Sequence, residues 1–155
     1  ANHSDRHFSP SKQSYAELLN DISNCNDTVK SLTGKECRLY RAPSGEYNND
    51  AISAAESLGM TAVQWNVDSI DWKGKTPAEM LDKIRTKTVN GSIILFHLGK
   101  KNTAEALPDI IGYLQDGGYS LVTVSELLPD GKYEILPDGA AKETADGSSA
   151  EYEKN

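Results

Sequence analysis

Apolar positions follow two rhythms along the chain. From Tyr15 they recur at Leu18, Leu19, Ile22, Cys25, Val29 and Leu32. That helical spacing of three or four predicts an amphipathic helix. Ser9 followed by Pro10 predicts its start and Gly34 its stop. Residues 37–40 predict a short strand. Ala51, Ile52, Ala55 and Leu58 mark a second helix closed by Gly59, and residues 61–67 predict a strand. Thr76-Pro77-Ala78-Glu79 is a capping box with proline at the first helical position, opening a helix through Met80, Leu81 and Ile84. The near-continuous apolar run over residues 92–96 predicts a strand buried on both faces. Residues 102–105 predict a further capping box, followed by Leu107, Ile110, Ile111 and Leu114, with Pro108 early in that helix. Gly117-Gly118 ends it, and residues 121–124 predict a last strand.

Strand centres therefore fall near Leu39, Val63, Ile94 and Leu121, each pair separated by a helix. Repeated βα units predict an α/β fold with a parallel sheet, open or closed into a barrel. The 155 residues and a hydrophobic share of 37% suit one core. No run of 18 apolar residues predicts a membrane span, and the start shows no leader pattern. A net charge of −7 argues against nucleic acid as a partner. Residues 129–155 hold seven acids and three bases. From Asp138 onward they offer almost no apolar anchors, so the tail is expected to be disordered or a linker. Cys25 and Cys37 leave two readings open, one disulfide or two free thiols.

In βα folds the ligand site lies beyond the carboxyl ends of the strands. Arg41-Ala42-Pro43-Ser44-Gly45 follows the first predicted strand. Asp68-Ser69-Ile70-Asp71-Trp72 follows the second, and His97 ends the third. His3-Ser4-Asp5-Arg6-His7 stands before the first helix. Singly, each has a plain reading. Two histidines four apart are usually solvated, Arg-x-Pro-x-Gly is usually a turn, and Asp-x-x-Asp-Trp is usually an Asx-turn with a packed indole. Together they bring all three histidines of the chain to one predicted rim.

His3-Ser4-x-x-His7, Arg41-x-Pro43-x-Gly45, Asp68-x-x-Asp71-Trp72 and Leu95-x-His97, in this order, resemble motifs two to five of the polysaccharide deacetylases. That family is carbohydrate esterase family four, the NodB homology domain. The resemblance covers about residues 2–128. It implies the C-terminal portion of a distorted (β/α) barrel over residues 1–128, with 129–155 as an acidic tail. The stretch from Gln64 to Lys73 looks most like the peptidoglycan deacetylases of spore-forming Firmicutes.

The resemblance implies metal-dependent hydrolysis of N-acetyl groups on an extracellular amino-sugar polymer, peptidoglycan first, with chitin-like oligomers and acetylated xylan behind it. It implies a divalent metal, zinc, on His3 and His7. His97 corresponds to the general acid that protonates the leaving amine, Asp68 to the carboxylate that orients it, and Arg41 to the arginine that positions the base. Leu95 and Trp72 correspond to the walls of the acetyl pocket. Pro43 and Ser44 belong to the motif whose backbone N–H faces the oxyanion.

Three positions depart from the family pattern. Ser44 replaces a common tyrosine, and Leu98 stands where Asp or Asn is frequent. The aspartate pair of the first motif, which supplies the base and the third metal ligand, has no counterpart in this sequence. A complementing N-terminal segment or a second copy is therefore expected to supply them. The alternative expectation is a non-catalytic glycan-binding remnant, with Trp72, Tyr47 and Trp65 as stacking surfaces. The substrate class implies an extracellular or cell-envelope location.

Overall fold

The computed structural model describes residues 1–129, 133–135 and 141–143. The chain forms two compact units, residues 1–64 and 65–155.

In the first unit the long helix α1 spans Tyr15–Thr33. Its cap is Ser14, not the expected Ser9. Ser14 Oγ accepts the Glu17 N–H while the Glu17 carboxylate accepts the Ser14 N–H, at 3.4 and 2.8 Å. Two donors at the helix start are thereby satisfied reciprocally. Ser9 and Pro10 instead head a 3-10 turn, Pro10–Lys12, and the Ser9 hydroxyl donates to Glu46. Gly34 closes α1 in the left-handed conformation, as expected. Strand β1 (Leu39–Tyr40) pairs in parallel with β2 (Thr61–Ala62), and helix α2 (Asn49–Ser57) connects them. On the other side of β1, Asn2 makes a parallel bridge to Tyr40. The core holds Leu18 and Ile22 of α1, Tyr40, Met60 and the small face Ala51, Ala54 and Ala55 of α2. These small, fully buried alanines let α2 approach its neighbours closely, and close packing of this kind stabilises a core.

In the second unit β3 (Val67–Asp68) pairs in parallel with β4 (Ile94–Leu95), with α3 (Pro77–Lys87) between them. The expected single strand over residues 61–67 is thus two strands. Asn66 marks the start of β3. Its side chain takes the Ile93 N–H at 2.9 Å and donates to Ser92 at 3.1 Å, replacing ladder bonds with side-chain ones. The Thr76–Glu79 capping box of α3 forms as its sequence dictates. Helix α4 (Lys101–Asp116) begins one residue before Asn102 and has no side-chain cap. Asn102 lies inside the helix, and its side-chain amide donates instead to Asp71 O and Lys75 O. Pro108 is the eighth of sixteen residues, deeper than expected. It lies on the exposed face of the helix, from which it removes one N–H donor. The core is Val67, Met80, Ile84, Ala106, Ile110 and Leu114.

The expected strand over residues 121–124 does not form. Leu121 and Val122 are half exposed, and Thr123 caps the short helix α5 (Val124–Leu127) through a capping box with Glu126. A local cap wins there because no described strand pairs with this run. In the tail, β5 (Tyr133–Ile135) and β6 (Ala141–Glu143) pair as antiparallel strands where the composition predicts a linker. The remainder of the expected disordered tail lies outside the described residues. Cys25 and Cys37 are free thiols, which selects the second of the two readings.

Candidate active site

The first unit carries His3, His7, Arg41, Pro43 and Ser44. Asn2 fixes the start of this loop. Its N–H donates to Leu39 O at 2.7 Å and its carbonyl accepts the Arg41 N–H at 2.9 Å. Its buried amide donates to Ile22 O and Asn26 Oδ1 and accepts the Ser4 N–H. The loop that follows turns sharply, with Ser4 and His7 both at positive φ, 70° and 54°. Asp21, buried on α1, holds that turn. It accepts the Ser4 hydroxyl, and it accepts the Arg6 side chain at 2.9 Å and the Arg6 N–H at 3.3 Å. Burial pushes the Asp21 carboxyl up, but the Ser4 and Arg6 donors outweigh it and hold it below the usual range. The neighbouring Tyr40 phenol is pushed up to about 12, by burial first and then by the Asp21 charge.

The His3 and His7 rings meet edge to face with centroids 5.0 Å apart. His3 Nδ1 lies 2.6 Å from Arg41 O. A carbonyl only accepts, so Nδ1 carries the proton of this hydrogen bond and, in the neutral ring, Nε2 is the metal-ligating nitrogen. This is the arrangement of a metal-binding histidine whose second nitrogen is fixed by a backbone acceptor. The donor set fits zinc at two positions. Among the described residues no group of three His, Cys, Asp or Glu side chains gathers to hold a metal ion. Arg41 is half buried, and burial lowers its pKa. Pro43 is buried at the head of the 3-10 turn Pro43–Gly45, and Ser44 is exposed at φ 58°.

The second unit carries Asp68, Asp71, Trp72, Leu95 and His97. Asp71 is fully buried in the 3-10 turn Asp71–Lys73 that follows β3. Its Oδ1 accepts from His97 Nδ1 at 2.7 Å. Its Oδ2 accepts the His97 N–H at 2.7 Å and the Thr103 hydroxyl at 2.6 Å. The carboxylate on His97 is therefore Asp71, not the expected Asp68. Asp68 is spent locally. Its Oδ1 accepts the Ile70 N–H at 2.7 Å, closing an Asx-turn, and its Oδ2 accepts from Trp72 Nε1 at 3.3 Å. The Asx-turn commits the first aspartate to the backbone and leaves the second for the histidine. Burial pushes the Asp71 carboxyl up, yet the Thr103 and His97 donors hold it below the usual range.

Leu95 is buried on β4, two residues before His97. Trp72 is 49% exposed, with Lys73 Nζ 4.7 Å from its ring centroid. Sequence reasoning missed Asp21 and Thr103, which belong to no motif and whose partners are 15 or more residues away.

The polysaccharide deacetylase family model matches residues 1–63. Over 129 residues, 83% of this chain, the sequence is 32% identical to the uncharacterised protein YlxY of Bacillus subtilis. Over 126 residues it is 33% identical to the peptidoglycan-N-acetylmuramic acid deacetylase PdaC of the same organism. The chain spans 40% and 26% of the lengths of those two proteins. It superposes with a TM-score of 0.79 on a CE4 family pseudoenzyme from Bacillus anthracis, at 30% identity, covering 82% of this chain and 45% of that one.

The paired parallel βα units and these likenesses define a polysaccharide deacetylase fold, a portion of a (β/α) barrel. The chain belongs to the polysaccharide deacetylase family, carbohydrate esterase family four.

Proposed function

We propose that this chain carries part of the machinery for hydrolysing N-acetyl groups on peptidoglycan, with residues 1–128 as the partial catalytic domain and 129–155 as a tail. The observation that carries the reading is the imidazole of His97 against the buried carboxylate of Asp71, Nδ1 to Oδ1 at 2.7 Å. Amide hydrolysis expels an amine, and an amide anion is too poor a leaving group to depart unprotonated. Asp71 keeps a proton on Nδ1, so Nε2 is the nitrogen that hands a proton to the departing amine. In the second unit Leu95 and Trp72 take the role of acetyl-pocket walls, and in the first the backbone N–H of Ser44 takes the role of an oxyanion donor. Arg41 positions the base. His3 and His7 are two ligands of a divalent metal, zinc by the chemistry of imidazole donors. When bound, such a metal supplies Lewis acidity toward the acetamide and toward water. The base and the third ligand have no counterpart among these residues, and an N-terminal segment or a second copy is proposed to supply them.

PdaC and the other peptidoglycan deacetylases among the relatives support peptidoglycan as the substrate. That substrate puts the protein outside the cell or in its envelope. No helix among the described residues is long and apolar enough to cross a membrane.

The test is acetate release from peptidoglycan and from N-acetylated chitin oligomers with zinc added, for the chain as it stands and for His97→Ala. Release that disappears in the variant supports the reading. Release that persists in it removes His97 from the mechanism. A second reading, a glycan binder without turnover, is favoured by the likeness to a CE4 pseudoenzyme. It predicts retention on peptidoglycan with no acetate released.

A further inference from the structure

Helix α4 opens against the loop that holds Asp71. A threonine within a helix commonly turns its hydroxyl back to the carbonyl one turn earlier. Thr103 does not. It is 5% exposed, and its Oγ1 leaves the helix to donate to Asp71 Oδ2 at 2.6 Å. The preceding residue acts on the same loop. Asn102 Nδ2 donates to Lys75 O at 2.7 Å and to Asp71 O at 3.3 Å. Two consecutive side chains thus hold the 71–75 loop, one by its carboxylate and one by its backbone.

The three donors on Asp71 are not equivalent. The His97 N–H and Thr103 Oγ1 both reach Oδ2, and only His97 Nδ1 reaches Oδ1. Fixing Oδ2 from two directions sets the plane of the carboxylate and therefore where Oδ1 points. Without Thr103, Oδ2 keeps one donor, the His97 N–H, and the carboxylate is less restrained about its χ2, which is broad for aspartate.

We propose that Thr103 is a positioning residue that acts through Asp71, locking the carboxylate so that the proton stays on His97 Nδ1 and Nε2 is presented to the substrate. This rests on the reading of His97 as the general acid, but its test does not use turnover. Valine has nearly the shape of threonine and cannot donate. In the 155-residue chain, the His97 Nδ1 proton is observed by NMR and assigned by its loss in His97→Gln. Thr103→Val is expected to speed exchange of that proton with water about tenfold or more, the loss of one hydrogen bond to a charged group. The ring nitrogen shifts should then move toward a mixture of tautomers. Thr103→Ser restores the hydroxyl and both signals.

Ile110→Val, which loosens the core face of the same helix, is the control. It is expected to lower stability and leave the His97 proton unchanged. Unchanged exchange in Thr103→Val, or an equal acceleration in Ile110→Val, would overturn the proposal. Should the valine variant unfold, the serine variant carries the test alone, and loss of the His97 proton there overturns it. Failure of the deacetylase reading would appear separately, as absent acetate release with these NMR signals intact.

Discussion

Arg6 Nε lies 2.9 Å from Oδ1 of Asp21, a contact that ties the loop between His3 and His7 to helix α1. The Asp21 carboxylate also takes the Ser4 hydroxyl, so one buried group holds a turn containing two residues at positive φ. Asp21→Asn is expected to weaken zinc binding at the proposed His3 and His7 ligands about 10–100-fold, because the turn between them loses its buried support. Stability should fall by about 1–3 kcal/mol, mostly from lost hydrogen bonds, because Arg6 is half exposed and its charge is screened. Calorimetric zinc titration and denaturant melts measure the two effects. Undiminished zinc affinity would separate Asp21 from the histidines.

The two aspartates of the Asp68-x-x-Asp71 motif should behave differently. On the proposed function, Asp71→Asn in a preparation that releases acetate is expected to lower turnover about 10²–10⁴-fold, as for a disabled general acid, with metal content unchanged. Asp68→Asn should cost far less, because Asp68 serves the Ile70 N–H and the Trp72 indole. Steady-state rates with parallel metal analysis decide this. Equal losses would restore Asp68 to a role in the chemistry.

Acid should unfold the chain through Asp21 and Asp71. Each has a folded pKa below its ordinary 3.8, so the unfolded state binds more protons as pH falls. Their contribution is complete above the ordinary value and is lost as pH drops through the lower folded values. Stability should therefore be flat in this respect at neutral pH and decline below about pH 4. In Asp71→Asn that decline should be shallower. Urea melts across the acid range give the slopes, and identical slopes would contradict the assignment.

Ser44 sits at φ 58°, a region unfavourable for a residue with a Cβ. Ser44→Gly is expected to stabilise by about 0.5–1 kcal/mol, or at least not to destabilise. Since the proposed contact to the oxyanion uses the backbone N–H, turnover should stay within about twofold. A large loss of turnover with unchanged stability would assign work to the Ser44 hydroxyl itself. Thermal melts and rates measured together distinguish these outcomes.

What the sequence reveals tracks how local the information is. The start of α3 is legible because Thr76, Pro77 and Glu79 settle it among themselves. So is the end of α1 at Gly34. Residues 121–124 have the composition of a strand, yet a strand needs a neighbour to pair with, and Thr123 and Glu126 offer a nearer alternative. Asn102 has the chemistry of a cap, but its partners, Asp71 and Lys75, lie about thirty residues away. The site shows the same division. The motifs locate His97 and its turn, while the choice between Asp68 and Asp71 depends on which side chain the folded backbone turns inward.

Asp71 joins three separate stretches of chain: the turn that bears it, the end of β4 at His97, and the first turn of α4 at Thr103. Asn102 clamps the same turn at Asp71 O and Lys75 O. The backbone here behaves as a welded corner rather than a hinge, since displacing it breaks several hydrogen bonds at once. On the proposed function, adjustment to different sugars and their substituents would then fall to the exposed side chains of Trp72 and Lys73. Changes at those two positions should retune substrate preference while the proton-handling corner stays as it is.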